Sequence, residues 1–213
     1  MRRRIEQMRR VRLDRRRFFR MAATGAASLF PNASWAQRTS PAGSVEDVRG
    51  EAYAQTEAQR RTLVIAAPLY INDLIGTGID SRLTLHLGRD TTLRVGAHAR
   101  VIIDHFLVNA GGEITLESGP ILFERPTGSA PAPTQIRSPF ALIAVRGTRF
   151  FAGPSAGVFG VFVERGSVSV SAAGQRVLLR AGQGTNIDHP GAAPTPAAVW
   201  KPERIRVALD SVE

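Results

Sequence analysis

Residues 81–103 read SRLTLHLGRDTTLRVGAHARVII, and this stretch decides the fold class. Leucine occupies every second position of 83–87, with Thr84 and His86 between, and the GRD triplet that follows is a turn signal. Apolar residues again take every second position of 93–103. Because successive side chains of a strand point to opposite faces of the sheet, a period of two predicts strands buried on one face.

The pattern extends over residues 50–187 and predicts an all-β domain of nine to eleven short strands. Residues 114–117 and 167–171 alternate in the same way, and Gly-Pro at 119–120 marks a turn. Continuous apolar runs at 140–145 and 158–163 predict strands that are buried on both faces. A β-sandwich and a rolled, β-solenoid-like sheet both fit this spacing. The segment 125–137 is rich in Pro and Ala and predicts a loop.

The chain divides into four segments. Residues 1–36 have the order of a signal peptide, residues 37–49 are polar and predict a linker, and residues 50–187 form the β domain. Residues 188–213 form a Pro-rich tail that ends in a last strand or a short helix.

The opening segment resembles a twin-arginine export signal in residues 14–20, DRRRFFR, where Arg15, Arg16 and Phe18 are in register with the motif. The apolar run that follows is about half of the roughly 20 residues that span a bilayer, and small residues precede a cleavage point after Ala36. The alternative is a basic arm that binds nucleic acid or a membrane surface. The order of the basic, apolar and small-residue parts favours export, which predicts a periplasmic mature protein without a stable membrane anchor.

The charge distribution supports the export prediction. Residues 1–36 hold ten arginines and two acidic residues and so carry +8 of the formal net charge of +10, which leaves +2 for the remainder. The excess positive charge that would indicate binding to nucleic acid therefore belongs to the leader and is removed with it. The chain has no cysteine, which excludes a disulfide framework, thiolate zinc sites and an acylated lipoprotein anchor.

Catalytic and cofactor motifs have little support in the sequence. Ser155 lies in a G-x-S-x-G pattern, but an apolar strand follows where a nucleophile elbow needs a helix, so a hairpin loop is the better interpretation. The histidines do not have metal-ligand spacing, and His86 and His98 fall on polar strand faces. No Gly-rich loop enters a helix. We therefore predict a protein that is not an enzyme and binds no cofactor or metal.

The stretch 140–151, FALIAVRGTRFF, is the most distinctive of the domain. Gly147 would permit a bulge or a close approach of the backbone. Arg146 would need an acceptor if it were partly buried, and Glu164 is a candidate. A structural bulge between two strands is the interpretation that these residues favour.

Several ordered motifs over about residues 70–185 resemble the FecR domain, which is named after a periplasmic regulator of ferric-citrate uptake. The segments that carry the resemblance are 138–141 leading into VRGTRFF, 161–170 (VFVERGSVSV), 179–183 (LRAGQ), and upstream 75–78, 81–85 and 119–123. The family motif falls on residues that the resemblance implies to be structural: Arg146, Gly147, Thr148, Glu164, Gly166 and Gly182. The resemblance implies an all-β periplasmic domain that works through protein contacts.

The chain departs from regulators of this family in two ways. Such regulators usually carry a cytoplasmic anti-sigma segment with one transmembrane helix, and a C-terminal domain that docks a receptor. Here an export leader comes first and about 26 residues follow Ile187. We therefore predict an exported, non-catalytic interaction or signalling module with an envelope protein as its partner. The alternative is an envelope protein that contacts glycan or peptidoglycan, although aromatic residues for stacking on sugars are scarce.

Overall fold

Strands account for most of the described chain, and the all-β prediction is confirmed. The computed structural model describes residues 41–57, 59–107, 111–126, 128 and 133–213, with the side chains of 105–107 and 146 left aside. All of these residues belong to one unit, Arg38–Glu213. The first eight strands are β1 (Gly43–Arg49), β2 (Ala52–Gln55), β3 (Arg60–Thr62), β4 (Pro68–Leu69), β5 (Leu74–Thr77), β6 (Arg82–Leu87), β7 (Thr91–Val95) and β8 (Arg100–Leu107). The remaining elements are β9 (Gly111–Ser118), β10 (Ile121–Glu124), β11 (Thr134–Arg137), β12 (Leu142–Ser155), β13 (Val158–Ala172), β14 (Gln175–Arg180), β15 (Gln183–Ile187), β16 (Ala198–Val199) and α1 (Pro202–Asp210).

The strands form one sheet that forks at the long strand β12. Along one side β12 pairs with β13 throughout, whereas on its other side residues 142–145 pair with β11 and residues 149–152 pair with β10. The β11 branch continues through β9, β8, β5 and β2 to β3, and the β10 branch through β7, β6 and β1 to β4. Two layers result. The open layer contains β2, β3, β5, β8, β9, β11 and β14, and the covered layer contains β1, β4, β6, β7, β10, β15 and β16.

The hairpin of β12 and β13 belongs to both layers because it bends in the middle. The pairing register shifts between Arg146 and Arg149, at the junction of the two branches. Both ends of β12 therefore lie at one end of the molecule, which we call the mouth, and the bend lies at the other. The single sheet is thus rolled over on itself, which matches the rolled alternative of the sequence prediction.

The two layers enclose one hydrophobic core. Ile103 and Ile114 of the open layer and Leu85 and Leu93 of the covered layer belong to the same cluster, and all four are fully buried. These are the inward positions of the alternating strands, so the faces predicted for 83–87 and 114–117 are confirmed. Burial of large aliphatic side chains contributes roughly 1.5–3 kcal/mol each and is the main source of stability for such a roll.

A second, smaller cluster covers the outer face of the covered layer. Leu122, Phe151 and Phe162 point away from the main core and pack against the C-terminal segment, which supplies Trp200, Ala208 and Val212. The run 158–163 is therefore buried on both faces, as predicted. The run 140–145 is not, because Ala144 is exposed on the uncovered face of the open layer. The apolar character of an alanine is too weak a signal to decide burial.

Several boundaries differ from the sequence predictions. The predicted linker 37–49 contains strand β1, which pairs with β4 and β6 and buries Val45. Most residues of β1 are polar, and Val45 alone of them is fully buried in the core. An alternating pattern with one buried apolar residue was too weak to predict a strand. The predicted tail 188–213 contains β16 and α1, of which the helix was one of the two expected endings.

The strand count was too low, and one predicted strand is in fact two. The stretch 93–103 breaks between β7 and β8, where His98 adopts a φ of +53° in a turn that crosses from the covered to the open layer. Among the described residues of 50–187 there are fourteen strands, β2 to β15, and the short strands β2 to β5 were not recognised. The predicted loop 125–137 ends in strand β11, which lies parallel to β9.

Candidate functional site

The VRGT motif forms the bend at which the sheet rolls over. Gly147 on β12 has a φ of +58° and Gly166 on β13 has a φ of +88°, both in the left-handed region that favours glycine. A Cβ atom on Gly166 would lie 2.6 Å from Thr148 Cγ2 and 2.7 Å from the carbonyl oxygen of Gly147. Thr148 is fully buried, and its Oγ1 has no hydrogen-bond partner among the described residues. Two glycines on facing strands therefore allow both strands to bend together.

Arg149 anchors the covered side of the bend through three carboxylates. Its guanidinium donates to Glu164 Oε2 at 2.7 Å, to Glu124 Oε2 at 2.7 Å and to Glu213 Oε1 at 2.5 Å. Burial lowers the pKa of Arg149, but the hydrogen bonds and charges of Glu164 and Glu124 outweigh it, so that the pKa is raised above its ordinary value. Glu164 was expected to accept a hydrogen bond from Arg146, but the side chain of Arg146 is not among those that the structure describes. Arg149 was not predicted as a site residue, since its partners are distant in the chain.

Gly182, another residue of the motif, acts through its backbone beside the β12–β13 hairpin. Gly182 has a φ of +80°, and its N–H donates to the carbonyl oxygen of Val163 at 2.8 Å. The predicted export residues Arg15, Arg16 and Phe18 and the cleavage point after Ala36 lie outside the described residues.

Ser155 closes a hairpin and binds an arginine. It pairs with Val158 across the two-residue turn Ala156-Gly157, whose φ values of +53° and +81° fit a type I′ turn. The Ser155 hydroxyl accepts from Arg204 Nε at 3.0 Å, and Arg204 Nη2 also donates to Asn186 Oδ1 at 2.8 Å. A guanidinium cannot serve as the general base that a nucleophilic serine needs. Ser155 thus fastens α1 to the sheet.

The histidines do not converge on a site in the part of the chain whose side chains are described. His86 Nε2 lies 3.1 Å from the carbonyl oxygen of Arg89, and His189 Nδ1 lies 3.0 Å from that of Pro190. His98 is exposed in its turn rather than on a strand face. Within the same residues, no group of three or more His, Cys, Asp or Glu side chains is placed to hold a metal ion.

Trp200 is the center of the covering cluster. Its ring stacks on Phe162 with 5.2 Å between centroids, and the guanidinium of Arg204 lies 3.6 Å from the centroid of the indole. Gly160 lies beneath the ring, where a Cβ atom would come within 2.7 Å of Trp200 Cη2. Burial lowers the pKa of Arg204, whose hydrogen-bond acceptors Ser155 and Asn186 are neutral. The C-terminal segment is therefore part of the folded domain.

The open layer has two outer strands, β3 and β14, and among the described strands β14 pairs only with β13. The turn Ala173-Gly174 closes this hairpin with Ala172 opposite Gln175, so the backbone groups of Arg176, Leu178 and Arg180 point to the free side. Gln183 Oε1 accepts from the Arg180 N–H at 2.9 Å, which leaves the other two positions open. The other terminal strands of the sheet, β3, β4 and β16, have two or three residues, whereas β14 has six.

The outer face beside this edge is flat and polar. Ser167, Ser169 and Ser171 of β13 lie opposite the three outward residues of β14, among which Leu178 is 54% exposed. Arg176 and Arg180 make no ion pair with any described residue; Arg176 Nε donates to Ser171 Oγ at 3.3 Å. The surface thus presents an apolar side chain between two unpaired cations. It consists of half-buried serines of β13 and exposed residues of β14, whose role the alternation alone did not reveal.

Comparison with known proteins agrees with the motif-based resemblance. The family described as FecR protein matches residues 73–169. Two crystal structures of a candidate anti-sigma factor from Parabacteroides distasonis, at 1.65 and 2.50 Å resolution, have a similar fold with a TM-score of 0.54 and 14% sequence identity. The similarity covers 64% of this chain and 64% and 63% of those chains, which is less than two thirds of their length. No curated protein matches the sequence.

Proposed function

We propose that this chain is an exported, non-catalytic signalling module of the bacterial envelope that binds a partner protein through β14 and the adjoining outer face of the open layer. The observation that carries the proposal is the contrast between the layers. The C-terminal segment packs on outward aromatic and aliphatic residues of one layer, whereas the other layer ends in a six-residue strand with backbone groups that have no partner among the described residues. An exposed strand edge can accept a strand of a partner, whose main chain supplies hydrogen bonds and whose side chains supply specificity.

The FecR match and the anti-sigma name of the structures with a similar fold both support a regulatory role. That structural likeness concerns the fold, so the activity is part of the proposal. The module would act by contact with an envelope protein, which in turn passes the signal on. This mode of action fits a domain whose motif residues serve the bend and not a reaction.

A glycan-binding role has less support from the described aromatic residues. Trp200 is buried beneath Arg204. Arg60 lies 3.6 Å from the ring centroid of Tyr53, and Arg61 lies 5.4 Å from that of Tyr70, so one face of each ring is covered by the chain itself. Sugar platforms need exposed aromatic faces. The protein-binding role is therefore the one that we propose.

Periplasmic location is proposed from the twin-arginine resemblance in the leader. In the described part of the chain, no helix is both long and apolar enough to cross a membrane. Replacing Arg15 and Arg16 with lysine should retain the precursor in the cytoplasm, as measured by cell fractionation and mass of the product. Release of a mature protein that begins at Gln37 despite this change would contradict the export route.

The binding proposal is tested by photo-crosslinking in the cell. A photoreactive amino acid at Leu178 should capture one discrete envelope protein, whereas the same group at Val207, an exposed residue of α1 on the covered side, should not. The captured proteins are identified by mass spectrometry. Equal capture at both positions, or none at Leu178, would overturn the proposed docking edge.

A further inference from the structure

A pocket opens at the mouth of the roll, at the end opposite the VRGT bend. It has a volume of about 340 Å³ and lies where the two layers meet. Leu116 and Phe140 line it from the open layer, and Pro154, Val158 and Phe159 line it from the β12–β13 hairpin. This volume is near the lower limit of ligand sites, roughly 300–1,000 Å³, and suits one large side chain rather than a nucleotide or another extended cofactor.

The walls of the mouth pocket are held in place by local structure. Ser138 Oγ accepts from the N–H groups of Phe140 at 3.2 Å and Ala141 at 3.0 Å, which fixes the turn that carries Phe140. The ring of Phe140 stacks on Phe159 with 4.6 Å between centroids and 5° between planes. The type I′ turn at Ala156-Gly157 sets the position of Val158. The pocket is therefore preformed, and a ligand would not have to order it.

The rim of the pocket carries one uncompensated negative charge. Glu117 is paired with Arg100 at 2.9 Å. Asp188 also lines the pocket, is exposed, and its carboxylate makes no hydrogen bond or ion pair with any residue that the structure describes. An apolar cavity beside a free carboxylate is complementary to an apolar group that is followed by a cation.

We propose that the mouth pocket is a second binding site, which takes an aromatic side chain from an extended peptide segment of a partner, with Lys or Arg as the neighbouring residue. The aromatic ring would contact Phe140 and Phe159 in the offset or edge-on geometry that aromatic pairs prefer. The neighbouring cation would meet Asp188. This site is separate from the β14 edge, and the proposal does not depend on it.

The test is an NMR titration of the isotope-labelled full chain with the peptide Ac-Phe-Arg-NH2. Amide shifts should change at the residues that line the mouth pocket. Ac-Ala-Arg-NH2, which lacks the ring, should bind about tenfold or more weakly. Ac-Phe-Glu-NH2, which reverses the charge, should also bind more weakly. Shifts elsewhere, or equal affinity of the three peptides, would overturn the proposal.

Two variants locate the binding, and one control matches them. Val158→Phe should fill the pocket and abolish the shifts, while the thermal midpoint checks that the chain folds. Asp188→Asn removes only an exposed charge and should reduce the preference for Arg over Glu about two- to fivefold, the range of an exposed ion pair. Asp80→Asn, at an exposed carboxylate of another turn, should leave the affinity unchanged. An unchanged preference in Asp188→Asn would contradict the role of this carboxylate.

Two further titrations test whether the site prefers a peptide to a small molecule, and whether it is independent of the β14 edge. 2-Phenylethylamine carries a ring and a cation without a peptide backbone, and binding as tight as that of Ac-Phe-Arg-NH2 would overturn the peptide assignment. Leu178→Ser should leave the titration unchanged, because the free edge is not part of the pocket. Failure of the mouth site and failure of the β14 edge are thereby distinguishable.

Discussion

The outer faces of the two layers differ in what their sequences provide for a cover. On the covered layer, Phe151 and Phe162 alternate with core residues, and Gly160 leaves room above the strand for the ring of Trp200. On the open layer, the corresponding outward positions of β13 are Ser167, Ser169 and Ser171. The outward side of β13 thus binds the C-terminal segment of the chain along its first half and is polar along its second half.

The two outer faces also contribute unequally to the stability of the fold. The covered face contributes through buried aromatic area, which is worth several kcal/mol per large side chain. The open face contributes less, since its outward serines on β13 are only half-buried and Leu178 on β14 is exposed. A surface that stability does not require is free to serve recognition.

Trp200→Ala removes the cover of the covered layer and should have the largest effect on stability. The indole is 6% exposed, stacks on Phe162 and supports Arg204, so its loss should lower the free energy of unfolding by about 3–5 kcal/mol. Urea unfolding monitored by circular dichroism measures this, since the change also removes the main tryptophan signal of the domain. Leu178→Ala on the open face is the control and should change stability by about 0.5 kcal/mol or less. Equal losses in the two variants would contradict the assignment of the faces.

The bend offers a matched pair of substitutions with the next largest effect. Gly147→Ala forces a left-handed alanine into open space and should cost about 1 kcal/mol. Gly166→Ala adds a contact with Thr148 and the Gly147 carbonyl, and should cost about 2–3 kcal/mol in total. Denaturation midpoints of both variants give the ranking. A larger loss for Gly147→Ala would show that the bend is not packed as described.

Thr148→Val, also at the bend, should raise stability, whereas the glycine substitutions lower it. The Thr148 hydroxyl is buried without a partner among the described residues, which costs about 1–3 kcal/mol of desolvation. Valine has nearly the same shape and no hydroxyl, so the variant should be more stable than the parent by about 1 kcal/mol. Thermal and urea unfolding check this, with Thr92→Val, on a partly exposed strand position, as a near-neutral control. A destabilised Thr148→Val would mean that the hydroxyl has a partner in solution.

Much of the roll could be predicted from the alternation in its sequence. Strands with large aliphatic residues at every second position, such as β6 and β9, were identified with the correct inward face. Strand β1 was missed because most of its residues are polar, and its place depends on pairing with β6 about forty residues later. Short-range pattern carries no information on such pairing.

The candidate site was harder to predict than the fold. Glycines of the motif were predicted to be structural positions, and the partner of Glu164 in the structure is Arg149, three residues from the arginine that was expected. The pairing register shifts between 146 and 149, and Arg149 lies next to this irregularity, which alternation in the sequence does not locate. The pocket at the mouth joins residues from four distant segments, and no local pattern marks it.

Leu178→Ser has the smallest expected effect on stability and the most direct bearing on function. Leu178 is 54% exposed on the free strand, so the variant should unfold within about 0.5 kcal/mol of the parent. If a partner strand pairs with β14, the loss of this apolar side chain from between two arginines should weaken capture of the partner severalfold, because specificity in strand addition comes from alternate side chains. Crosslinking from a photoreactive group at Arg176, compared with and without Leu178→Ser, measures the change, and Val207→Ser serves as the control on the covered side. Unchanged capture together with unchanged stability would remove Leu178 from the interface and leave the edge without its apolar contact.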